Sequence, residues 1–312
     1  MLFGLLGKEE KHFIDGREIE ILSRAWTGVF TRKRMRQIIL EFCASEKIAT
    51  FFPKLTFVLE LSKKVGGGVL YVREDEMVEG KSIVHVVTNV IGDTGSWKGM
   101  EGFIVHELTH LKQYQESKLL TEIKKVRGKL HSSLKKLDGD YPLTLKEFRI
   151  EIKLFVYQFF SEGLATFAEK RYKGLNFSAK NQGHFYKIAK ESMQKLKKIT
   201  LEYYEIFSKE YDDEWSKEKA IKKSYDKLTR WWQFYSYYIG LHMVYTILFV
   251  DHKTTIEDIL KLKFFQFFRK YEACMKIHGR KPVFSISSRD GILDYNLLLA
   301  EWQVMMKKME KR

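Results

Sequence analysis

Two histidines and a glutamate lie close together in the segment from Phe103 to Leu111. His106 and His110 are four residues apart, in a stretch whose apolar residues recur at helical spacing. On a helix, positions i and i+4 lie one above the other on the same face, so both imidazoles can point at one ion. Glu107 lies beside them, where its carboxylate can reach water at that ion. The spacing therefore predicts a metal centre suited to hydrolysis.

The chemistry expected of such a centre is the activation of water. A zinc ion with three protein ligands keeps one position for water and lowers the pKa of that water to about 7. We expect Glu107 to be the general base that takes the proton and passes it to the leaving group. Because two histidines alone are an incomplete set of zinc ligands, a third ligand is required.

A glutamate motif further along the chain reads Ser161-Glu-Gly-Leu-Ala-Thr-Phe-Ala-Glu169. Together the two motifs resemble those of the gluzincin metallopeptidases, in which the third ligand is a glutamate on a second helix. The detailed match is to the aminopeptidase N type. The matching positions are Glu162, Gly163, Ala165, Thr166 and Glu169. The resemblance implies a zincin-like fold with one Zn2+ ion, Glu162 as the third ligand, and Thr166 and Glu169 orienting the ligands through hydrogen bonds.

The chain also departs from those families. A long lysine-rich stretch separates His110 from Glu162, whereas the aminopeptidase N and thermolysin families have a much shorter connection. Glu169 and Asp138 stay open as alternative third ligands, because two histidines alone would be an incomplete set of ligands for zinc. No upstream segment resembles the motif with which aminopeptidases recognise a free amine, which favours an endopeptidase over an aminopeptidase.

A tyrosine-rich segment from Tyr235 to Tyr245 resembles the Tyr-x-x-Gly motif of the aminopeptidase type. In that alignment Tyr237 is the residue that stabilises the oxyanion, and Gly240 is the motif glycine. Hydrolysis of an amide needs such a donor because negative charge develops on the carbonyl oxygen. Other candidates for the same role are Tyr238, Tyr235 and His242.

β-branched and aromatic residues cluster between glycine-rich breaks in the N-terminal third of the chain. They predict strands from Leu55 to Leu61, Gly68 to Arg73 and Ser82 to Val90, after a helix from Arg32 to Glu46. The gluzincin enzymes that these motifs resemble usually present an extended substrate along an edge strand through backbone hydrogen bonds. The strand Ser82 to Val90, which carries His85, is the candidate for this role.

From Lys98 onward the pattern is helical nearly to the end. Thr144 and Glu147 give a capping-box signal, and Gly174 is a helix stop. The predicted helices run from Lys98 past Gln115, Thr144 to Tyr172, Ser178 to Lys209, Ser216 to Val250, Thr255 to Ile277 and Ile292 to Lys311. These elements predict an α+β, predominantly α fold. A small N-terminal sheet, within residues 1–97, would pack beside a larger helical bundle of residues 98–312 that carries the metal site in one compact catalytic unit.

Composition narrows the class of protein further. With 45% hydrophobic residues and 3 prolines among 312 residues, the chain is expected to fold rather than stay disordered. Two distant cysteines, Cys43 and Cys274, provide neither a disulfide framework nor a thiolate site, which favours a cytoplasmic location. The longest apolar run, Tyr237 to Val250, is shorter than the roughly 20 residues that span a bilayer, so we expect no transmembrane segment.

The net charge of +15 raises the question of an anionic partner. Most lysines alternate with acidic residues, which is typical of solvated helix faces. We therefore predict a zinc-dependent hydrolase acting on a peptide or protein substrate, with nucleic acid as the less favoured partner. The alternative is a non-catalytic, zinc-containing helical protein whose basic surface binds nucleic acid or another anion.

Overall fold

The computed structural model of the chain describes residues 6–14, 17–24, 54–61, 68–72, 81–88, 100–117, 145–206 and 209–284, together with eight residues between 33 and 44. Most of the described residues are helical, and the strands lie in the N-terminal third. An α+β, predominantly helical fold is therefore observed, as the sequence predicts.

Within the described residues, five strands form one mixed sheet in the order β1-β2-β3-β5-β4. Their bounds are Leu6–Ile14 for β1, Arg17–Arg24 for β2, Lys54–Leu61 for β3, Gly68–Val72 for β4 and Lys81–Thr88 for β5. Strands β2, β3 and β5 run parallel, and an antiparallel strand flanks them on each side. Strands β3 and β5 read as nearly continuous apolar runs, as is usual for parallel strands in the interior of a sheet.

The three predicted strands are present as β3, β4 and β5, but the role assigned to the last of them is wrong. Strand β5 lies between β3 and β4, and its His85 pairs with Val58 on one side and Tyr71 on the other. The backbone N–H and C=O groups of β5 therefore already pair with both neighbouring strands. Since β5 is not an edge strand, it cannot bind an extended substrate through backbone hydrogen bonds. Among the described strands the edges are β1 and β4.

Six helices follow the sheet in the described ranges. They are α1 Met100–Glu116, α2 Leu145–Tyr172, α3 Ala179–Ile206, α4 Glu214–Val250, α5 Ile256–Leu260 and α6 Phe264–Ile277. The first four confirm their predictions to within a few residues, and the described residues between 33 and 44 are helical as well. The predicted helix from Ile292 to Lys311, the cap at Thr144 and the alternative ligand Asp138 lie outside the described residues.

The single helix predicted from Thr255 to Ile277 is wrong, because the chain forms two helices there. Thr255 and Asp258 make a reciprocal capping box at the start of α5. A second start signal follows, where the backbone N–H of Lys263 donates to Gln266 Oε1 at 2.8 Å. Two consecutive N-terminal caps thus divide one helical pattern into two helices.

The end of α2 follows its predicted stop signal. Gly174 has a φ of +91°, the left-handed conformation that glycine adopts without steric cost. Its N–H donates to the carbonyl of Arg171 at 3.0 Å, and the N–H of Leu175 donates to Lys170 at 2.8 Å. These bonds satisfy the last carbonyls of the helix and end it.

By proximity of Cα atoms the chain forms two compact units. One comprises residues 1–115 and 168–175, with the sheet, most of α1 and the end of α2. The other comprises residues 116–167 and 176–312, with the rest of α2 and helices α3 to α6. The helix α2 is continuous through both. The predicted boundary after residue 97 lies outside the described residues.

Aromatic side chains fill the core of the second unit. Trp232 of α4 stacks on Phe155 and Phe159 of α2, with ring centroids 5.3 Å apart in both pairs. Its indole N–H donates to Thr200 Oγ1 of α3 at 3.2 Å, so the buried polar atom of the ring has a partner. None of the helices in the described ranges is long and apolar enough to cross a membrane.

Candidate metal centre

The two motif histidines point their outer ring nitrogens at each other. Nε2 of His106 and Nε2 of His110 are 3.2 Å apart, and the rings are nearly perpendicular with centroids 4.9 Å apart. His106 is buried, whereas His110 is half-buried. The one-turn spacing on α1 thus produces the convergence of imidazoles that the sequence predicts.

The inner ring nitrogens of both histidines face oxygen acceptors. Nδ1–H of His110 donates to Gln113 Oε1 at 3.0 Å. Nδ1 of His106 is 3.6 Å from Glu169 Oε2, which is too long for a strong hydrogen bond but is a close electrostatic contact with a carboxylate. An acceptor beside Nδ1 favours the tautomer with hydrogen on Nδ1. Both Nε2 atoms then carry lone pairs.

Two lone pairs facing each other at 3.2 Å repel unless a cation or a proton lies between them. Two nitrogens that bind one tetrahedral zinc ion at about 2.0–2.1 Å are separated by about 3.3 Å. The observed 3.2 Å separation of the two Nε2 atoms fits that tetrahedral edge. The donor set therefore fits a zinc ion, which prefers imidazole and carboxylate ligands.

Glu162 joins the histidines as the predicted third residue. Its carboxylate oxygen and the ring nitrogens of His106 and His110 all lie within 4.8 Å of one another. Glu162 and Glu169 are separated by two turns of the continuous helix α2, so they lie on the same face of that helix. Of the two, Glu162 belongs to the cluster and Glu169 contacts the far side of the His106 ring.

Glu169 is held ionised by its neighbours. The interaction with His106, aided by Lys173, lowers the pKa of Glu169 to about 2 against the opposing effect of burial. Lys173 Nζ lies 2.5 Å from Glu169 Oε1. Gly102 on the first turn of α1 makes room for this pair, because an added Cβ there would lie 2.8 Å from Glu169 Cγ. A carboxylate that is ionised at neutral pH thus faces Nδ1 of His106.

The remaining motif residues have different surroundings. Glu107, the predicted general base, is half-buried on α1 next to His106. Thr166 lies on the same face of α2 as Glu162 and Glu169, and its buried Oγ1 has no hydrogen-bond partner among the described residues. The structure therefore places Glu169 against a histidine, as predicted for an orienting residue, but it gives no such contact for Thr166.

Comparisons with known proteins do not assign the chain to a family. No protein-family model matches the chain, and no curated protein sequence matches it. The geometry of the site therefore carries the functional inference.

Helix α4 carries Tyr237 to the vicinity of α2. Gly240 follows Tyr237 by one turn, and its backbone contacts Gly163, the neighbour of Glu162. The turn that bears Tyr237 therefore lies against the turn that bears Glu162. Tyr237 itself is half-buried.

The three alternatives to Tyr237 lie in distinct environments. Tyr238 is 37% exposed. Tyr235 is buried, and its ring stacks on that of Trp231 with centroids 5.4 Å apart. His242 is fully buried, with Nδ1 3.3 Å from Thr246 Oγ1 and Nε2 without a hydrogen-bond partner among the described residues.

Gln113 was missed by the sequence reasoning. It follows His110 by three residues, and positions i and i+3 are neighbours on a helix surface. The spacing alone would have identified it as a possible partner for the ring.

Proposed function

We propose that the protein is a zinc-dependent hydrolase whose ion is held by His106, His110 and Glu162. The observation that carries the proposal is the 3.2 Å approach of the two Nε2 atoms, each on a ring whose Nδ1 faces an oxygen acceptor. Glu162 is within 4.8 Å of both. A structural zinc site usually fills all four positions with Cys or His, whereas two histidines and one carboxylate resemble a catalytic set.

The roles of the residues follow from their chemistry. When bound, zinc would act as a Lewis acid and lower the pKa of water to about 7. Glu107 takes the proton of the attacking water on its carboxylate and returns it to the leaving nitrogen. The Tyr237 hydroxyl donates a hydrogen bond to the carbonyl oxygen as negative charge develops there. Glu169 holds His106 in the orientation that leaves Nε2 available.

The proposed substrate is a peptide or protein, and the proposed fold class is zincin-like. Support comes from the two motifs and the Tyr-x-x-Gly segment, which resemble those of gluzincin peptidases and lie on three helices, α1, α2 and α4. The absence of an amine-recognition motif supports cleavage within the chain over removal of the first residue.

Replacement of Glu107 by Gln tests the proposal. The zinc-loaded variant should lose hydrolysis of an internally quenched peptide library by at least about a hundred-fold, because the proton acceptor is gone. Its zinc content should equal that of the wild type, because the three ligands remain. The matched control is Glu191→Gln, an exposed glutamate on α3 whose substitution should change neither value. Full activity of Glu107→Gln would refute the assignment of the base.

A basic groove on α4 favours a second function, the binding of an anionic partner. Its lining contains five cations and one acidic residue beside a tryptophan: Lys219, Lys222, Lys223, Lys227, Arg230, Asp226 and Trp231. Trp215 on the same helix is 68% exposed, and Lys219 Nζ lies 4.8 Å from the centroid of its ring. Cations beside aromatic rings are typical of surfaces that bind single-stranded nucleic acid.

Salt dependence separates the two functions. If the groove binds a single-stranded oligonucleotide, affinity should fall steeply between 50 and 200 mM salt as counterions are released. At the same salt concentration, Lys223→Glu and Arg230→Glu should each bind the oligonucleotide more weakly than the wild type does. The second function is excluded if the wild type does not retain the oligonucleotide at low salt, and that result leaves the hydrolase proposal untouched.

A further inference from the structure

A buried amide side chain lies directly against the second motif histidine. Gln113 is only 2% exposed, and its Oε1 lies 3.0 Å from Nδ1 of His110. An amide oxygen can only accept, so Nδ1 of His110 must donate. This single hydrogen bond fixes both the tautomer and the ring orientation of His110.

The fixed tautomer matters because it determines which nitrogen can bind a metal ion. With its hydrogen on Nδ1, His110 presents an unprotonated Nε2, and this atom lies 3.2 Å from Nε2 of His106. The other tautomer would place a hydrogen on Nε2, in the space between the two rings. Gln113 thereby keeps the ring hydrogen of His110 out of that space.

The two histidines have orienting partners of different charge. His106 faces the side-chain carboxylate of Glu169, which also contacts Lys173, whereas His110 faces the side-chain amide of Gln113. A carboxylate partner makes an imidazole a stronger electron donor than an amide partner does. The amide can therefore orient His110 without adding a second negative charge beside the ligands.

We propose that Gln113 is a positioning residue that preforms the metal centre by holding His110 with its hydrogen on Nδ1. This inference rests on the proposed metal site. Orienting partners of metal-bound histidines typically account for a factor of ten to a hundred in metal affinity. The same factor is expected for Gln113, because its buried side chain supplies the acceptor 3.0 Å from Nδ1 of His110.

The test is the zinc affinity of the full chain, measured by competition with a chromogenic chelator. Gln113→Leu removes the acceptor at nearly constant volume and should weaken zinc binding roughly ten- to a hundred-fold. If the leucine variant folds poorly, Gln113→Met replaces it in the test, because methionine has an unbranched side chain like that of glutamine and lacks the amide oxygen. Gln113→Glu restores an oxygen acceptor and should recover affinity to within a few-fold of the wild type.

The matched control is Gln182→Leu. Gln182 is a fully buried amide on α3 whose Nε2 donates to Thr246 Oγ1 at 2.9 Å. The same chemical change there should leave zinc affinity unchanged. Equal affinity of Gln113→Leu and wild type, or equal weakening by Gln182→Leu, would overturn the inference.

A spectroscopic readout on the metal-free chain is independent of affinity. The 15N shifts of the His110 ring should show a protonated Nδ1 and an unprotonated Nε2 in the wild type. In Gln113→Leu they should shift towards a mixture of tautomers. If the wild type binds zinc yet hydrolyses no peptide, the proposed activity fails while the role of Gln113 stands. If the wild type binds no zinc, both fail.

Discussion

The backbones of Gly163 on α2 and Gly240 on α4 are in direct contact. A Cβ added to Gly240 would overlap the carbonyl oxygen of Phe159, and one added to Gly163 would overlap the backbone of Gly240. Any side chain at either position would force the helices apart. The contact also holds the turn that bears Tyr237 against the turn that bears Glu162.

Gly240→Ala should therefore destabilise the protein. The methyl group has no space, and overpacking of a close contact typically costs about 1–3 kcal/mol. The free energy of unfolding in urea measures the effect. Gly183→Ala on α3 is the control, because an added Cβ meets nothing within 4 Å there. That substitution should raise stability by up to about 1 kcal/mol, since alanine is the better helix former. Equal effects of the two substitutions would contradict the contact.

His242 should make stability depend on pH. Burial, together with the positive charges of Arg280 and His278, lowers the pKa of His242 to about 3. In the unfolded chain the pKa is about 6.5, so between these values only the unfolded chain binds the proton. The free energy of unfolding thus falls as the pH drops below about 6.5.

His242→Gln tests this dependence. From pH 7.5 to pH 5 the wild type should lose about 2 kcal/mol more stability in urea than the variant does. Other groups contribute equally to both proteins and cancel in the difference. His184→Gln on α3, where the histidine is exposed, should follow the wild type. Parallel pH curves for wild type and His242→Gln would show that His242 is not the source.

Tyr237→Phe should reduce hydrolysis without affecting zinc content. Removal of one hydrogen-bond donor to an oxyanion commonly lowers kcat by a factor of about 100 to 1,000. The rate with a quenched peptide and elemental analysis of the same sample give the two readouts. Tyr238→Phe on the exposed side of α4 should change kcat little. A larger loss of kcat in Tyr238→Phe than in Tyr237→Phe would assign stabilisation of the oxyanion to Tyr238 instead of Tyr237.

Much of the fold could be predicted from hydrophobic patterns. Strands β3 to β5 and helices α1 to α4 have long apolar runs or clear helical spacing, and their existence was predicted correctly. The hairpin of β1 and β2 was missed because both strands are rich in charged residues. A turn signal was nevertheless present. Ile14 pairs with Arg17, and the two residues between them in the sequence, Asp15-Gly16, are a dipeptide that is favoured in two-residue turns.

The strand order could not be predicted from the same patterns. Strand β5 follows β4 in the chain but lies between β3 and β4 in the sheet. Which strand becomes an edge depends on pairing between distant segments, and local sequence does not encode that pairing. The assignment of Ser82 to Val90 as a substrate-binding edge failed for this reason.

The metal cluster was more predictable than its surroundings. The i, i+4 spacing of His106 and His110 determines their convergence, and the resemblance indicated Glu162. The partners of the inner ring nitrogens depend on side-chain conformation and helix contacts, which explains why Gln113 was missed. The motif alone indicates Glu169 as an orienting residue, and only the structure shows that it contacts His106.

The most direct test of the metal centre is the zinc content of the dialysed protein by elemental analysis. Wild type should hold one zinc ion per chain, and so should the control His184→Ala, which removes an exposed histidine on α3. His106→Ala, His110→Ala and Glu162→Ala should each hold far less, because each leaves an incomplete ligand set. Unchanged zinc in all three variants, or no zinc in the wild type, would contradict the account.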